Sequence, residues 1–357
     1  MADISAKCAN ILQMIAQGDY FTMNRPRQYG KTTALFQLAH LLRHSGEYTV
    51  FRISFEGVGD DPFKSEAAFC EMFLELLLAK ARQQNNPVLT DFLEKSITTT
   101  PNLKTLAFTI STLVEKASNR VVLLIDEVDK SSNNQLFLSF LGVLRHKYLE
   151  RSETPTFHSV VLAGVHDIKN LKLKLRQADE HKYNSPWNIA SDFSIIMDFS
   201  VAEIRPMLRD YARSENVALD DDTIAQKIVY YTNGHPYLVS KLCKIVAEIL
   251  LPGKGEAIWT VEDIDRAVHL LIQENNTNFD DVAKNLDNNP ELYQLTETVA
   301  LDGVQFAFEP NDPTVHAGVQ FGIFSNQNGL AIHNRIYQQV IVNKMSFRVL
   351  KEFETKK

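Results

Sequence analysis

One nine-residue segment is the strongest indicator of this chain's fold: Arg25-Pro26-Arg27-Gln28-Tyr29-Gly30-Lys31-Thr32-Thr33. It follows an apolar stretch at residues 20–23 and opens a stretch with helical periodicity at residues 33–42. A strand, a loop that ends in glycine and lysine, and a helix are the setting that a phosphate-binding loop requires. Gly30 allows the backbone to approach phosphate oxygens, and the N–H groups at a helix start point towards an anion.

The second informative segment, residues 121–127, reads Val-Val-Leu-Leu-Ile-Asp-Glu. Its five apolar residues are too few for a buried helix, so they predict a central strand that ends at Asp126. With Lys31 on the β- and γ-phosphates, the Thr32 hydroxyl would ligate Mg²⁺ and Asp126 would hold the metal's water shell. Glu127 could polarise an attacking water as a general base. Together the two segments predict a site for a nucleotide and Mg²⁺.

The first loop position departs from the usual pattern G-x-x-x-x-G-K-[ST], because Arg25 stands where the first glycine is expected. Each segment alone also has a plain structural explanation. Residues 30–32 fit a helix N-terminus with a solvated lysine, and residues 121–127 fit a buried strand that ends in an acidic turn. Both segments occur in the expected order, with a helix and a further strand between them, and this favours the nucleotide site.

The composition indicates an ordinary globular protein. The chain has 357 residues, 45% of them hydrophobic and 23% charged, enough for two or three domains of about 100–200 residues each. The three cysteines are far apart, which excludes a disulfide framework and a CxxC metal pair and favours a reducing cytoplasm. We expect no secretion signal and no membrane span. The net charge of −7 argues against whole-protein attraction to nucleic acid.

Strand and helix patterns alternate over the first 200 residues. Helices are predicted at 5–17, 33–44, 63–82, 103–116 and 134–149, and strands at 48–55, 121–126, 157–165 and 194–199. Residues 83–100 read as polar and irregular. This alternation predicts an α/β fold with a parallel sheet sandwiched by helices. Ligands of such sheets bind at the carboxyl ends of the strands, where the loop and Asp126 both fall.

Strand patterns stop after residue 200. Helices are predicted at 203–216, 222–232, 236–250 and 261–274, followed by an Asn-rich linker at 275–289. Helices at 290–301, 315–324 and 335–345 then flank a tight turn at 326–329 and a strand at 330–333. We therefore predict a core at residues 1–200, a helical lid at 201–275 and a winged-helix-like module at 285–357.

These segments resemble the P-loop ATPases of the AAA+/STAND superfamily, in particular the prokaryotic "AAA-ATPase-like" group. That group opens with an R-x-R-x-x-G-K-[ST] loop, so Arg25 matches it, and residues 123–127 match its second motif. Residues 160–165 resemble its sensor strand. Residues 184–190, Asn-Ser-Pro-Trp-Asn-Ile-Ala, resemble the segment before its last core strand, and residues 232–238 resemble the G-x-P motif of its lid. The resemblance covers residues 1 to about 275 and implies a P-loop ATPase fold.

The resemblance also implies roles for individual residues. Gly234 and Pro236 would form a rigid corner that faces the adenine or ribose, although a plain helix–helix turn fits these residues equally well. We expect His235 to be exposed at this corner. His166, after the sensor-like strand, could report on the γ-phosphate or belong to an ordinary turn. Candidate arginine fingers, or solvated helix residues, are Arg145, Arg176 and Arg205.

We expect one of Arg25 and Arg27 to contact the nucleotide and the other to pack against the sheet edge or an acidic side chain. The function predicted from the resemblance is an ATP-binding switch that hydrolyses ATP slowly and closes its lid on the nucleotide. What the switch drives has three alternatives: a signalling or defence scaffold that self-assembles or binds a protein partner, a DNA-linked ATPase, and a regulatory partner of a nuclease. Residues 285–357 contain six Lys and Arg against eight Asp and Glu, which weakens the DNA alternative.

Overall fold

Parallel strands form a sheet in the part of the chain that the computed structural model describes, residues 4–128, 134–165, 187, 189–253, 257–301 and 303–355. The strands are β1 Tyr20–Asn24, β2 Tyr48–Ser54, β3 Arg120–Asp126 and β4 Ser159–Gly164. Their order across the four-stranded sheet is β1, β4, β3, β2. Strand β3 pairs with both β2 and β4, and residues 121–125 are completely buried. A continuous apolar run is what a strand covered on both faces requires, so the predicted central strand is confirmed.

The chain divides into two units that are described separately. The sheet unit contains Ala6–Arg25 and Lys31–Ile195, and the helical unit contains Met1–Ser5, Pro26–Gly30 and Ile196–Lys357. The division therefore falls within the predicted phosphate loop, before Pro26 and again after Gly30. By its contacts, Pro26–Gly30 belongs to the helical unit, while Lys31 belongs to the sheet unit.

Helices accompany the strands of the sheet unit, mostly where the sequence predicts them. They are α1 Ser5–Ala16, α2 Lys31–His44, α3 Glu66–Gln83, α4 Pro87–Ile97, α5 Leu103–Lys116 and α6 Gln135–Leu149. At the N-termini of several of these helices, side-chain oxygens accept hydrogen bonds from the free backbone N–H groups. The Asn102 side chain accepts a hydrogen bond from Thr105 N while the Thr105 side chain accepts from Asn102 N, which together form a capping box.

Helix α4 contradicts the expectation of an irregular segment at residues 83–100. The signals were local: Asn86 caps the helix by accepting a hydrogen bond from Leu89 N, and Pro87 occupies the first helical position. Leu89 and Leu93, one turn apart, are buried. The polar residues between them occupy the outer face of a short amphipathic helix. Polar composition therefore did not indicate an irregular segment here.

The predicted last strand at residues 194–199 is also wrong. Among the described residues of this connection, Ser191 forms the single bridge to the sheet, and its N–H donates to Tyr20 O at 2.8 Å. The apolar side chains of the segment differ in exposure, since Ile196 is 69% exposed and Met197 is 3% exposed. The boundary between the units falls between Ile195 and Ile196. The apolar run therefore belongs to a connection and not to a strand buried on both faces.

The helical unit begins with the four predicted helices. They are α7 Val201–Glu215, α8 Asp221–Thr232, α9 Pro236–Ile245, which continues as a π-helical turn over Val246–Leu250, and α10 Val261–Gln273. Further helices are α11 Thr277–Asp287, α12 Pro290–Ala300, α13 Pro313–Gln320 and α14 Arg335–Thr355. Among the described residues, none of the helices has the length and apolar character needed to cross a membrane.

Helix α11 replaces the linker expected at residues 275–289. Asn276 caps it by accepting a hydrogen bond from Asn278 N, and Phe279, Val282 and Leu286 are buried along one face. Three of the asparagines that suggested a linker occupy helix ends: Asn276 and Asn288 flank α11, and Asn289 precedes α12. One buried apolar cluster of the helical unit takes side chains from Ile204 through Met345. The division into a lid at 201–275 and a module at 285–357 stays a prediction.

A short hairpin precedes α14, as predicted. Strands β5 Phe324–Asn326 and β6 Leu330–Ile332 pair antiparallel, with Phe324 opposite Ile332. Asn328 at the turn has a φ of 62°, in the left-handed region that asparagine tolerates. Together, α13 and this hairpin form the segment Pro313–Asn334, which is called the hairpin module below.

Candidate functional site

The carboxyl edge of the sheet collects the functional candidates of the sheet unit. Because the strands are parallel, β1, β4 and β3 end on the same side, at Asn24, Gly164 and Asp126. Arg25, directly after β1, donates its N–H to Gly164 O at 3.1 Å. The polar residues that follow these strands therefore lie at one edge, where sheets of this type bind ligands.

Lys31 is the first residue of α2 and is 7% exposed. Its Nζ donates to the backbone oxygen of Arg25 at 2.8 Å, across the turn that connects β1 to α2. A buried ammonium group requires such an acceptor because it has lost its water. The next two residues, Thr32 and Thr33, are exposed at the N-terminus of the helix. The N–H groups and dipole of this end favour an anion.

The backbone before Lys31 has the conformation of a tight loop. Gly30 has a φ of 73°, in the left-handed region that most residues avoid, and Gln28 has a φ of 60°. A Cβ built at Gly30 would meet no atom within 4 Å. The space beside Gly30 is therefore open, and the glycine is required by backbone conformation and not by a close neighbour.

Asp126 and Glu127 end β3 in contrasting environments. Asp126 is 2% exposed, and its Oδ1 accepts a hydrogen bond from Glu127 N at 3.0 Å. Glu127 is half-buried and has a φ of 55°. A glutamate in the left-handed region is uncommon, and conformations of this kind cluster at functional sites. The backbone at Glu127 thus departs from the extended conformation of the strand that precedes it.

These residues fit a magnesium nucleotide. The open, left-handed glycine and the start of α2 suit phosphate oxygens, and Lys31 supplies a charge that is already desolvated. The Thr32 hydroxyl and the Asp126 carboxylate are oxygen donors, which Mg²⁺ prefers. His166, the candidate sensor, lies outside the described residues, as do Arg176 and residues 184–186.

The two loop arginines differ in their contacts. Arg25 donates from Nη1 to Asn24 O at 2.7 Å and from Nη2 to Ile195 O at 2.6 Å. It also lies 5.1 Å from the centre of the Phe193 ring. The guanidinium thus forms hydrogen bonds both to the end of β1 and to Ile195, in the segment that follows the sheet. Arg27 is 72% exposed and lies 3.6 Å from Asp281, an ion pair that contributes little to stability.

Among the candidate arginine fingers, Arg205 is engaged within the helical unit. Its Nε donates to Asp221 Oδ2 at 2.8 Å, and its Nη1 lies 3.1 Å from Asp222 Oδ1. These pairs join α7 to the start of α8. Arg145 lies on α6 of the sheet unit. Neither position identifies a residue that acts on a phosphate.

The corner at residues 233–236 joins α8 to α9, as expected. Asn233 and Gly234 have positive φ values of 49° and 78°, and Pro236 is the first residue of α9. Gly234 O accepts a hydrogen bond from Phe199 N at 2.7 Å, and a Cβ built at Gly234 would come within 2.2 Å of Phe199 O. Only glycine fits this corner, for reasons of both conformation and space.

Replacement of Gly234 by alanine is expected to destabilise the helical unit by about 2 kcal/mol or more, because both the positive φ and the contact with Phe199 are unfavourable for a Cβ. Urea unfolding followed by circular dichroism measures the change. Gly142→Ala in α6 is the matched control, since a Cβ there meets nothing within 4 Å and φ is not positive. Equal stability of the Gly234→Ala variant and the wild type would contradict this explanation.

The expectation that His235 is exposed is wrong. The side chain is completely buried, and its Nε2 lies 3.0 Å from the Tyr337 hydroxyl, which itself donates to Asn278 Oδ1 at 2.8 Å. Burial, and then the neighbouring His333, lower the pKa of His235 to about 3. Asp198 acts in the opposite direction. His235 is therefore a neutral core residue of the helical unit at physiological pH.

This pKa makes the stability of the helical unit depend on pH. The unfolded chain binds a proton at His235 near pH 6.5, whereas the folded chain binds it only near pH 3. The contribution of His235 is fully present above pH 6.5 and is lost as the pH falls below it. Between pH 7.5 and 5.5 we expect a loss of about 1 kcal/mol from this group. The free energy of unfolding, measured across this pH range for wild type and His235→Gln, tests the assignment. Equal slopes of this free energy against pH in the two proteins would contradict it.

Sequence reasoning missed the partners of Tyr29. Tyr29 is 3% exposed, its hydroxyl lies 2.9 Å from His333 Nε2, and its ring centre lies 4.3 Å from that of His235. The buried position of a loop tyrosine and its pairing with a histidine 304 residues later have no local signal in the sequence.

Comparisons with known proteins identify the family of this chain. A family model described as an AAA-like domain matches residues 3–250. The uncharacterized WD repeat-containing protein slr0143 of Synechocystis sp. is 25% identical over 270 residues, which cover 74% of this chain and 21% of that protein. The matched region thus corresponds to about a fifth of that relative's length.

A solved structure from Pyrococcus abyssi shares the fold. The Walker-type ATPase paby2304 of Pyrococcus abyssi superposes with a TM-score of 0.61 at 12% identity over 96% of both chains. The ORC2 protein of Aeropyrum pernix gives a TM-score of 0.46 at 12% identity, over 96% of this chain and 93% of that one. At this identity, the likeness to the Pyrococcus protein concerns the fold: a parallel sheet flanked by helices, followed by a helical region with a small hairpin module.

Proposed function

This chain belongs to the AAA-like domain family, and from that premise we propose that it binds ATP with Mg²⁺, hydrolyses it slowly and acts as a nucleotide-dependent switch. The observation that carries the proposal is the position of Lys31. It is a buried lysine on the first residue of the helix after β1, and it is bonded to the loop carbonyl of Arg25 at 2.8 Å. A loop that holds a desolvated ammonium at a helix N-terminus is suited to phosphate oxygens.

The phosphates are held, in this proposal, by Lys31 and the loop backbone. On binding, Nζ exchanges the Arg25 carbonyl for β- and γ-phosphate oxygens, so that the buried charge keeps an acceptor throughout. Thr32 and Asp126 supply oxygen ligands on the metal side, directly or through water. When bound, Mg²⁺ would neutralise negative charge on the phosphates during phosphoryl transfer.

Glu127 is proposed as the residue that orients and polarises the attacking water. Its carboxylate follows Asp126 directly, and its left-handed backbone, with a φ of 55°, directs it differently from a strand residue. A general base must lie within hydrogen-bond reach of the proton that it takes. The strained backbone at this position supports a functional role, because a solvated turn would gain stability by relaxing.

The switch part of the proposal concerns what ATP binding changes. We propose that the nucleotide favours one arrangement of the helical unit, through the corner at Gly234 and Pro236, and that this arrangement exposes a surface for self-assembly or for a protein partner. A role in signalling or defence is one use of such a switch. The DNA-linked alternative has weaker support, since residues 285–357 carry no excess of basic residues.

Calorimetric titration of the purified protein with ATP, with and without Mg²⁺, tests this function. Light scattering of the same samples reports the molecular mass. We expect Mg²⁺-dependent ATP binding and a rise in mass when ATP is present. ATP binding without any change in mass would exclude self-assembly and leave binding of a protein partner as the response to ATP. A failure to bind ATP would overturn the proposed function as a whole.

A further inference from the structure

Four consecutive residues of the phosphate loop contact distant parts of the helical unit. Pro26 packs against Gly322, where a built Cβ would come within 2.8 Å of Pro26 Cγ. The remaining contacts are Arg27 with Asp281 at 3.6 Å, Gln28 Nε2 with Thr277 Oγ1 at 3.4 Å, and Tyr29 with His333 at 2.9 Å. The segment before Lys31 is therefore part of the packing of the helical unit.

The contact between Tyr29 and His333 differs from the others because it is buried. Tyr29 and His333 are 3% and 5% exposed, whereas the Arg27 side chain is 72% exposed and the contact of Gln28 lies on the surface. The Tyr29 ring also packs edge-on against His235. A buried hydrogen bond is costly to leave unmade, while an exposed ion pair contributes little. Tyr29 is therefore the main anchor of the loop.

His333 is itself held rigidly. It follows β6, its N–H donates to Ile323 O at 2.8 Å, and the Asn334 amide donates to its Nδ1 at 3.2 Å. Because Nδ1 accepts this bond, Nε2 carries the proton and faces the Tyr29 hydroxyl and, at 3.4 Å, Asp198 Oδ1. The imidazole thus presents a fixed donor to the loop, and the hairpin module determines where that donor lies.

We propose that Tyr29 and His333 form a positioning pair through which the hairpin module sets the conformation of the phosphate loop and thereby the affinity for nucleotide. The inference rests on the proposed function, because it assigns regulation to the same nucleotide site. Tyr29 is two residues from Lys31, so a loop held at Tyr29 presents its N–H groups and Lys31 in one arrangement. By reciprocity, nucleotide at the loop stabilises the hairpin module to the same extent. Whatever displaces the hairpin module would weaken nucleotide binding.

Affinity for ATP with Mg²⁺, measured by calorimetry, tests the pair through a double-mutant cycle. Tyr29→Phe keeps the ring against His235 and removes only the hydroxyl, and His333→Ala removes the donor. We expect each change to weaken binding roughly two- to tenfold, the range of one buried hydrogen bond. We expect the double variant to be no weaker than the single ones, because the same interaction is lost. Tyr231→Phe is the matched control, since its hydroxyl donates to Asp265 at 2.6 Å, away from the loop, and its affinity should equal that of wild type.

Hydrogen exchange of the wild type provides a second measurement that requires no variant. We expect ATP to slow the exchange of amides at residues 323–333. These results are interpreted when wild type binds ATP and Lys31→Ala does not. Three outcomes would then each overturn the positioning pair: unchanged affinity in Tyr29→Phe and His333→Ala, additive losses in the double variant, or hydrogen exchange that ATP does not alter. If the wild type does not bind ATP, the proposed function fails first, and that result is distinct.

Discussion

Replacing Lys31 by alanine is expected to abolish measurable ATP binding. The ammonium group is buried at the start of α2, so the proposed phosphate contact depends on a charge that is already desolvated. Loss of one partner of a desolvated charge pair costs about 4 kcal/mol, which is roughly a thousandfold in the dissociation constant. Calorimetric titration with ATP and Mg²⁺ measures the change directly.

The fold must survive for this result to be interpreted. Lys31 also donates to Arg25 O, so the alanine variant leaves that carbonyl without this bond and loses some stability. Lys31→Arg retains the charge but not its shape, and we expect it to fold like wild type while still binding ATP poorly. Lys244→Ala, an exposed lysine paired with Glu248 at 3.7 Å, is the matched control. ATP affinity in Lys31→Ala within threefold of the control would exclude Lys31 from the site.

Glu127→Gln is expected to separate binding from hydrolysis. The amide has the same shape as the carboxyl group, so the contacts of the turn are retained, but it cannot take a proton from water. Removal of a general base lowers the rate of turnover by about 10²- to 10⁴-fold. Phosphate release from saturating ATP should fall by this factor, while the dissociation constant for ATP stays within about threefold of wild type.

The control for this variant is Glu94→Gln, which removes an exposed carboxylate that pairs with Arg82 at 2.6 Å. Its turnover should equal that of wild type. A Glu127→Gln variant that retains full turnover would show that another residue activates water. A variant that loses binding and turnover together would assign Glu127 to the support of the turn after Asp126.

The parallel sheet could be predicted because its signals are local. The run at residues 121–125 is uniformly apolar, and strands buried on both faces require this pattern. The helix after the loop could likewise be predicted from its apolar periodicity, although it begins at Lys31 and not at residue 33 as expected. The same reasoning failed at residues 83–100 and 275–289, where capping residues were interpreted as loop residues. Each segment contains an asparagine that signals the start of a helix. Asn86 is followed by spaced leucines, and Asn276 is followed by spaced apolar residues of several types.

Other features depend on contacts that no local pattern encodes. His235 is buried because Tyr29, His333 and Tyr337 surround it, and these residues lie far apart in the chain. The apolar run at residues 195–197 suggested a strand, but it lies where the two units meet in the sequence. Tertiary context decided both outcomes, so neither could be predicted from the sequence.

Phosphate release from ATP by the purified chain, with Mg²⁺ and with the metal removed by chelation, tests the central claim most directly. The proposed function predicts slow release that requires Mg²⁺, falls to background in both Lys31→Ala and Glu127→Gln, and is unchanged in Lys244→Ala. Release that continues at the wild-type rate in Lys31→Ala and Glu127→Gln, or in the absence of Mg²⁺, would contradict the assignment of these residues to an ATPase site.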